Sequence, residues 1–258
     1  MSAGPQYALG RSMGIGIIGA AVMFAVGIRQ ERAGWAGAHP IYLAAAGLPT
    51  DNVDVARRAA PHELRVPRAS RPLTIDGELD EPDWTRAPAR TARFVGLDGA
   101  PARPSSEARM LWDADHLYIA LYAADGDVRA ARAAHDGPVW TEDSFGLVLT
   151  LGDGSTRTID VGPSGTLTDG ASAPGAPIDF SWQSGAKVAT DIDGTADDPS
   201  DVDEEWIVEM AVPLRALGLS GRRGERVGVV IKRCDRVEGV RSCGSFGGAS
   251  APAVLVLD

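Results

Sequence analysis

Lysine is scarce in this sequence, and basic residues are outnumbered by acidic ones. Lys187 and Lys232 are the two lysines among 25 basic residues, and 35 acidic residues give a formal net charge of −10. No basic stripe and no arginine patch interleaved with aromatic residues occurs along the chain, which argues against nucleic acid as a partner. The acidity also argues against a purely electrostatic attachment to anionic lipid.

Cysteine and histidine are scarce too, and neither forms a catalytic or metal-binding pattern. The two cysteines form no C-x-x-C or C-x-x-C-H motif, so the signatures of thioredoxin chemistry and of covalent haem attachment are missing. The histidines share no spacing typical of a metal site or a catalytic triad; they are His39, His62, His116 and His135. The sequence therefore predicts a protein that is not an enzyme.

The two cysteines flank a predicted β-hairpin. Glu238-Gly239 suits a two-residue turn, and counting outward from it places Cys234 opposite Cys243. The two fall at a non-hydrogen-bonded pair, where Cα atoms lie about 4.5 Å apart, within the range that a disulfide tolerates. The pattern predicts a Cys234–Cys243 disulfide and a compartment outside the cytosol, with two reduced core thiols as the alternative.

The N-terminus carries an unbroken apolar run at residues 13–28, MGIGIIGAAVMFAVGI. The run alone is short for a hydrocarbon core about 30 Å thick, but counting back to Tyr7 makes it long enough if Arg11 snorkels. The alternative is a signal peptide with a small-residue cleavage site at residues 36–38. We favour an uncleaved single-pass anchor in the lipid bilayer over residues 1–32, with the rest of the chain periplasmic or extracellular.

Small residues recur four positions apart within this run, Gly16 with Ala20 and Ala21 with Ala25. Such spacing lets another helix approach closely in the bilayer, so these residues are candidates for packing against a partner helix. Short apolar helices are also often rich in glycine and alanine without any partner, and both interpretations stay open. Residues 33–69 are predicted to be an interfacial segment and a linker rich in proline and arginine.

From residue 70 to residue 258 the sequence consists of short alternating strands and glycine-rich turns. Residues 108–125 alternate on either side of a turn at Asp113–Asp115, and residues 143–170 suggest two or three strands. Residues 206–219 suggest a strand that ends at Pro213, followed by one helical turn. The fold class predicted is all-β, an antiparallel β-sandwich of jelly-roll type preceded by a transmembrane helix.

The stretch LTIDGELDEPDW, at residues 73–84, contains five acidic residues. Leu73 and Ile75 alternate as a first strand, and Asp76-Gly77 suits a turn. Asp80 can cap a short helix whose first turn holds two further acids and a proline. Trp84 is spaced to fold back on the core, so these acids are predicted to shape the backbone and not to form a catalytic pair.

Five segments in order resemble the family 9 carbohydrate-binding modules. They are IDGELDEPDW, ARMLWDADHLYIALYAAD, VWTEDSFGLVLTLGDG, EEWIVEMAVPLRALGL and GERVGVVIKRCD. The resemblance covers roughly residues 70–258 and implies a β-sandwich without catalytic activity. It also implies a site that holds sugar chain ends between two tryptophans, together with bound calcium.

By position, Trp140 matches one sugar-stacking tryptophan of that family, and Asp143 matches the first acid of an Asp-x-x-Glu motif that follows it. Gly146 stands where the glutamate is usual, which removes an acceptor for sugar hydroxyls. Trp182 and Phe246 are candidates for the second platform. Because a tryptophan in a β-sandwich is more often core than platform, both roles are open for Trp140.

The acidic run at residues 191–205 is the candidate calcium site. Its spacing does not match an EF-hand loop, and a solvated acidic loop is the alternative. The candidate ligands are Asp197, Asp198, Asp201 and Asp203. Related sandwiches bind haem between a methionine and a lysine; Met110 with Lys187 or Lys232 would be that pair here, which the sequence disfavours because single residues carry no spacing information.

Two functions are consistent with the sequence. The favoured one is a docking or accessory subunit of a membrane protein complex, for example a respiratory or photosynthetic one, because the sugar-site acid is replaced at Gly146 and the anchor carries small-residue spacing. The alternative is a membrane-tethered carbohydrate-binding protein that recognises a glycan through Trp140.

Overall fold

The computed structural model describes residues 63–86, 89–91, 94–96, 100–130, 134–237, 240–247 and 252–258. The predicted anchor with Gly16, Ala20, Ala21 and Ala25, most of the predicted linker, and the Glu238-Gly239 turn lie outside these residues. Within them, none of the helical segments combines the length and apolar character that a membrane crossing requires.

Strands make up nearly half of the described residues, and helix is sparse, as the alternating pattern predicts. Helix α1 spans Pro82–Arg86, and a single 3-10 turn spans Val139–Thr141. The strands are β1 (Glu63–Val66), β2 (Ala89–Arg90), β3 (Val95–Gly96), β4 (Ser106–Trp112), β5 (His116–Ala124), β6 (Ser144–Thr150), β7 (Thr156–Val161), β8 (Leu167–Ser172), β9 (Lys187–Asp193), β10 (Glu205–Pro213), β11 (Arg226–Val237), β12 (Val240–Phe246) and β13 (Ala253–Leu257).

The strands form two sheets. The eight-stranded sheet has the order β1-β13-β11-β6-β7-β8, with β12 paired to β11 and β3 paired to β12. The five-stranded sheet has the order β2-β4-β5-β10-β9. Neighbouring strands are antiparallel except for β1 and β13, which run parallel. The predicted antiparallel β-sandwich is confirmed.

The core lies between the two sheets, because side chains alternate between the two faces of each strand. In β6, Phe145, Leu147 and Leu149 point inward and are buried. They meet buried residues of the five-stranded sheet such as Trp206 and Met110. The ring of Phe145 lies 5.0 Å from that of Trp206, centroid to centroid.

The predicted hairpin of β11 and β12 is confirmed, register included. Cys234 pairs with Cys243, and Arg236 pairs with Arg241. The two cysteines form a disulfide with Cα atoms 4.2 Å apart. The signal was local, since a nine-residue separation and one turn fix which residues face each other.

The acids of residues 73–84 shape the backbone, as predicted, because Asp83 and Glu81 accept backbone N–H groups of residues 70 and 74. The stretch is also bound from outside. Its anchor is Glu209, a fully buried residue of β10 whose carboxylate accepts hydrogen bonds from the backbone N–H groups of Asp76 and Gly77 and from the indole of Trp84. Trp84 is itself fully buried. Burial raises the pKa of Glu209 to about 7 although these three donors oppose the shift.

The start of the β region differs from the prediction. Glu63–Val66, placed by the sequence within the linker, forms β1 and pairs with β13. The prediction of a strand at Leu73–Ile75 is wrong, because that segment forms no ladder and leads into the turn bound by Glu209. The signal for β1 is not local, since its partner lies near the opposite end of the sequence.

Candidate functional site

The outer face of the eight-stranded sheet carries a row of four residues on adjacent strands. Lys232 of β11 faces Gly146 of β6, Gly146 faces Asp160 of β7, and Asp160 faces Thr168 of β8. They lie on the side of the sheet that faces away from the core, because their chain neighbours Ile231, Leu147 and Ile159 point into it. Lys232 is partly exposed there, whereas Asp160 and Thr168 are covered and buried; we call this face the open face.

Gly146 lets a charged pair form across its strand. Lys232 Nζ lies 2.8 Å from Asp160 Oδ1, so the lysine chain spans β6 to reach β7. A Cβ atom on Gly146 would lie 2.1 Å from Lys232 Cε and 2.5 Å from Asp160 Oδ1. The glycine that replaces the family's usual glutamate therefore coincides with an ion pair running over its position.

Two apolar side chains cover the next row of the same face. Gly170 of β8 faces Thr158 of β7, and a Cβ atom on Gly170 would meet Ile178 at 2.5 Å and Phe180 at 3.2 Å. The intervening Asp179 exchanges two backbone hydrogen bonds with Ala171. The chain after β8 thus returns to its edge and places Ile178 and Phe180 on the open face.

Trp140 joins these residues from the 3-10 turn before β6. Its ring centroid lies 6.0 Å from that of Phe180, with the ring planes tilted by 30°. Trp140 is half-exposed, and Phe180 is 43% exposed, among the largest exposures of an apolar side chain in the described residues. The hydroxyl of Thr168 donates to the carbonyl of Gly137, which holds the turn against β8. We call Trp140 and Phe180 the aromatic pair.

The aromatic pair is a continuous surface and not a slot. Carbon atoms in contact lie about 3.5–4 Å apart, so a sugar held between two rings needs them about 7–8 Å apart. The centroids are closer than this, at 6.0 Å. A pyranose can therefore stack on the exposed faces of the pair but does not fit between the rings as they stand.

Trp182 and Phe246, the residues that the sequence offers as a second platform, lie elsewhere. Phe246 is 4% exposed and belongs to the core. The guanidinium of Arg157 lies 5.6 Å from the centre of the Trp182 ring. Arg157 points to the opposite side of β7 from Asp160 and Thr158, because it is an odd number of residues from both. The missed partner, Phe180, carries no motif and is identified only by the return of the chain over Gly170.

Asp143 lies inside the protein. It is fully buried and accepts hydrogen bonds from the backbone N–H groups of Arg129 and Arg236, so its carboxylate braces two segments. It also belongs to a group of three buried carboxylates, with Asp125 and Asp235, whose oxygen atoms lie within 4.8 Å of one another.

Arg233 supplies the cation for this group. Its guanidinium donates to Asp125 and Asp235 and lies 3.9 Å from Asp143. It also lies 5.3 Å from the ring centre of Trp206, where a cation and an aromatic face attract. We call these four charged residues the Arg233 cluster. A metal ion is not needed there, because an arginine already occupies the position between the acids.

The Arg233 cluster contains three carboxyl groups and one guanidinium, so the cation does not balance all of the acids. Burial, helped by the neighbouring Asp125, raises the pKa of Asp143 to about 8 although Arg233 opposes the shift. Burial likewise raises the pKa of Asp235. Asp143 is therefore mostly protonated at neutral pH, which reduces the buried negative charge.

Three of the four aspartates proposed as calcium ligands accept backbone N–H groups, from their own loop and from residues 128–130. Both carboxylate oxygens of Asp203 accept backbone N–H groups, from Val128 and Thr195. Asp197 accepts from Ala130, and Asp198 caps the short turn at Ser200. Asp201 is exposed. Across the described ranges, the two groups of three potential ligands that converge within 4.8 Å contain none of these residues.

The second converging group consists of His135, Asp136 and Asp169, which we call the rim cluster. Asp169 is 1% exposed and accepts the backbone N–H of Ser184 through Oδ2. Asp136 has a left-handed backbone with φ of 63°, an arrangement that aspartate tolerates better than most residues. His135 Nε2 lies 2.8 Å from Gln183 Oε1 and 3.6 Å from Asp136 Oδ1.

The methionine and the two lysines considered as haem ligands occupy separate environments in the fold. Met110 is fully buried in the core, Lys232 is paired with Asp160, and Lys187 is the first residue of the edge strand β9.

A separate cleft beside residues 72–75 is lined by Tyr118, His116 and Lys187 among others. Its Tyr118 hydroxyl is committed to Asp113, and the cleft does not include the aromatic pair.

Comparison with known proteins identifies the family. A family model described as "Carbohydrate family 9 binding domain-like" matches residues 75–246, two thirds of the chain. The chain belongs to this family. Its members are non-catalytic carbohydrate-binding modules, so this chain is a non-catalytic binding module and not an enzyme. Among curated proteins, none matches the sequence.

Solved structures of family 9 modules share the fold. A protein from Bacteroides uniformis, described as a candidate carbohydrate-binding protein, is 14% identical with a TM-score of 0.60, over 77% of this chain and 100% of its own. A family 9 module from Caldicellulosiruptor kristjanssonii in complex with cellotriose is 15% identical with a TM-score of 0.52, over 76% and 93%. A family 9 module from the same organism in complex with glucose is 14% identical with a TM-score of 0.51. The match covers 76% of this chain and 95% of its own.

Proposed function

We propose that the protein is a carbohydrate-binding module whose glycan stacks on the aromatic pair of the open face. The observation that supports this most directly is that the exposed Phe180 and the partly exposed Trp140 lie side by side beyond a sheet whose other face is core. Sugar rings present flat apolar faces, and exposed aromatic rings held by a rigid scaffold bind them well. The family to which the chain belongs supports the same class of ligand.

Polar groups for the sugar hydroxyls lie one row from the pair. Lys232 and Asp160 belong to a row that lies two residues, about 7 Å along the strands, from the row of Gly170. The side chain of Lys232 is 38% exposed and that of Asp160 is 10% exposed, so the ammonium is the more accessible of the two. An ammonium offers three N–H donors and a carboxylate two acceptor oxygens, a combination that suits vicinal hydroxyls. We infer that this ion pair takes over the role of the glutamate that Gly146 replaces.

Docking to a membrane complex, the function favoured from sequence, remains a prediction. It depends on the apolar segment at residues 1–32, which lies outside the described residues. Extracytoplasmic placement of the sandwich is likewise a proposal; the Cys234–Cys243 disulfide supports it, because disulfides persist mainly outside the cytosol.

The test is glycan-array screening of the full chain in detergent, followed by calorimetric titration of the best ligand. We expect Trp140→Ala and Phe180→Ala each to weaken binding by about tenfold or more, the loss of roughly 1.4 kcal/mol. The matched control is Trp182→Ala, which removes a tryptophan of similar exposure outside the open face. A blank array with folded protein, or equal losses in all three variants, would refute the proposal.

A further inference from the structure

The rim cluster brings two carboxylates together beside a histidine, with no arginine or lysine among its members. One carboxylate oxygen each of Asp136 and Asp169 and one ring nitrogen of His135 lie within 4.8 Å of one another, and His135 Nε2 lies 3.6 Å from Asp136 Oδ1. Asp136 Oδ1 and Asp169 Oδ1 are buried, and neither has a hydrogen-bond partner among the described residues. A buried acceptor without a donor costs about 1–3 kcal/mol, and two like charges at this distance add to that cost.

Their other contacts fix these oxygens in place. Asp169 Oδ2 is bound by the backbone of Ser184, and Asp136 Oδ2 accepts from the side-chain amide of Gln183. Each carboxylate therefore uses Oδ2 to anchor itself and leaves Oδ1 without a donor among the described residues. Asp169 is 1% exposed, so bulk water does not compensate for the missing partner.

We propose that the rim cluster is a binding site for a divalent transition metal ion such as Zn²⁺. An imidazole nitrogen and two carboxylate oxygens are a common zinc ligand set, and a nitrogen ligand disfavours calcium, which takes oxygen ligands. His135 is exposed, which leaves a path for the ion and room for water in the remaining coordination positions.

Metal binding at the rim cluster would brace the loop that carries the glycan platform. Asp136 lies four residues before Trp140, and Asp169 belongs to β8, the strand whose outer face Phe180 covers. A single ion would thus tie the loop before β6 to β8. This role is independent of the proposed function, because the metal ligands are not the stacking residues.

The test is calorimetric titration of Zn²⁺ into tag-free full chain treated with a chelator, in detergent and without sugar. We expect one site, with affinity reduced by more than about 100-fold in Asp169→Asn and in His135→Gln. Asp169→Asn keeps the oxygen that binds Ser184, and His135 is exposed, so both variants are expected to fold. The matched control is Asp198→Asn, in the acidic loop, which is expected to bind Zn²⁺ like the unmodified chain.

Three results would overturn the proposal: no Zn²⁺ binding by the unmodified chain, unchanged binding in both rim variants, or binding lost only in Asp198→Asn. Titration with Ca²⁺ is expected to show no binding at the rim cluster, and Ca²⁺ binding abolished by Asp169→Asn would show that the metal class is wrong. Because no sugar is present, a blank glycan array leaves this outcome unaffected.

Discussion

The Arg233 cluster and the rim cluster are both groups of carboxylates, but only the Arg233 cluster contains an arginine. In the Arg233 cluster, a guanidinium with several N–H donors lies among three buried acids. In the rim cluster, two acids and an exposed histidine converge, and two buried oxygens lack a donor among the described residues. The comparison shows that convergence of acids alone does not indicate a metal site; what matters is whether the chain already supplies the cation.

The largest expected effect comes from removing that cation. Arg233→Met keeps most of the side-chain volume but leaves the buried carboxylates of Asp125 and Asp235, to which Arg233 donates, without their cation. Breaking a buried charge pair on one side costs about 3–5 kcal/mol, so we expect a loss of unfolding free energy of that size. Chemical denaturation followed by near-ultraviolet circular dichroism measures it.

The control for this variant is Arg223→Met, because Arg223 is 80% exposed and pairs with Asp258 at the surface. We expect that change to stay within about 0.5 kcal/mol. Equal stability of the Arg233 and Arg223 variants would contradict the view that the guanidinium neutralises the cluster.

A smaller effect, up to about 2.8 kcal/mol between pH 5 and pH 7, is expected from Asp143, and it depends on pH. The folded pKa of about 8 exceeds the unfolded value near 3.8, so the folded chain holds a proton that the unfolded chain releases between these two pH values. Stability from this group is complete below about pH 4 and is lost as pH rises toward 8, at up to about 1.4 kcal/mol per pH unit. Asp143→Asn is expected to flatten this dependence when unfolding is measured at pH 5, 6 and 7.

The matched control is Asp153→Asn. Hydrogen bonds from Ser155 lower the pKa of this surface carboxyl, so it stays ionised above pH 5 in both states. Its variant is expected to keep the slope of the unmodified chain. An unchanged slope in Asp143→Asn would mean that Asp143 is ionised in the folded state.

The smallest expected effect is in the rim cluster, and it is a gain in the free energy of unfolding where the Arg233 variant is expected to show a loss. Without metal, Asp169→Asn replaces a buried carboxylate whose Oδ1 has no donor and keeps the hydrogen bond from Ser184, so the metal-free chain is expected to gain about 1 kcal/mol. Denaturation in the presence of a chelator measures this gain, with Asp198→Asn as the reference. A loss of stability instead would show that Asp169 is already compensated, and the contrast between the two clusters would disappear.

Much of the fold follows from local patterns in the sequence. Alternation defines the hairpin of β4 and β5 around Asp113–Asp115, and a turn with flanking cysteines defines the register of β11 and β12. The strand β1 was missed because four residues carry little pattern, and its partner β13 lies almost the whole chain away. Leu73–Ile75 shows the converse, since alternation alone does not supply a partner strand.

The sequence alone identified Trp140 as a candidate platform, the glycine at position 146 and the pairing of the two cysteines. Each of these depends on a motif or on residues close in the chain. Tertiary structure alone decided that Phe180 and not Trp182 faces Trp140, that Lys232 reaches Asp160 across Gly146, and that Asp169 joins His135 and Asp136. These pairings arise where strands from separate parts of the chain become neighbours. Which side chains then meet depends on the register of the strands and on the face of the sheet. A shift of one residue in the register would move every side chain of a strand to the other face.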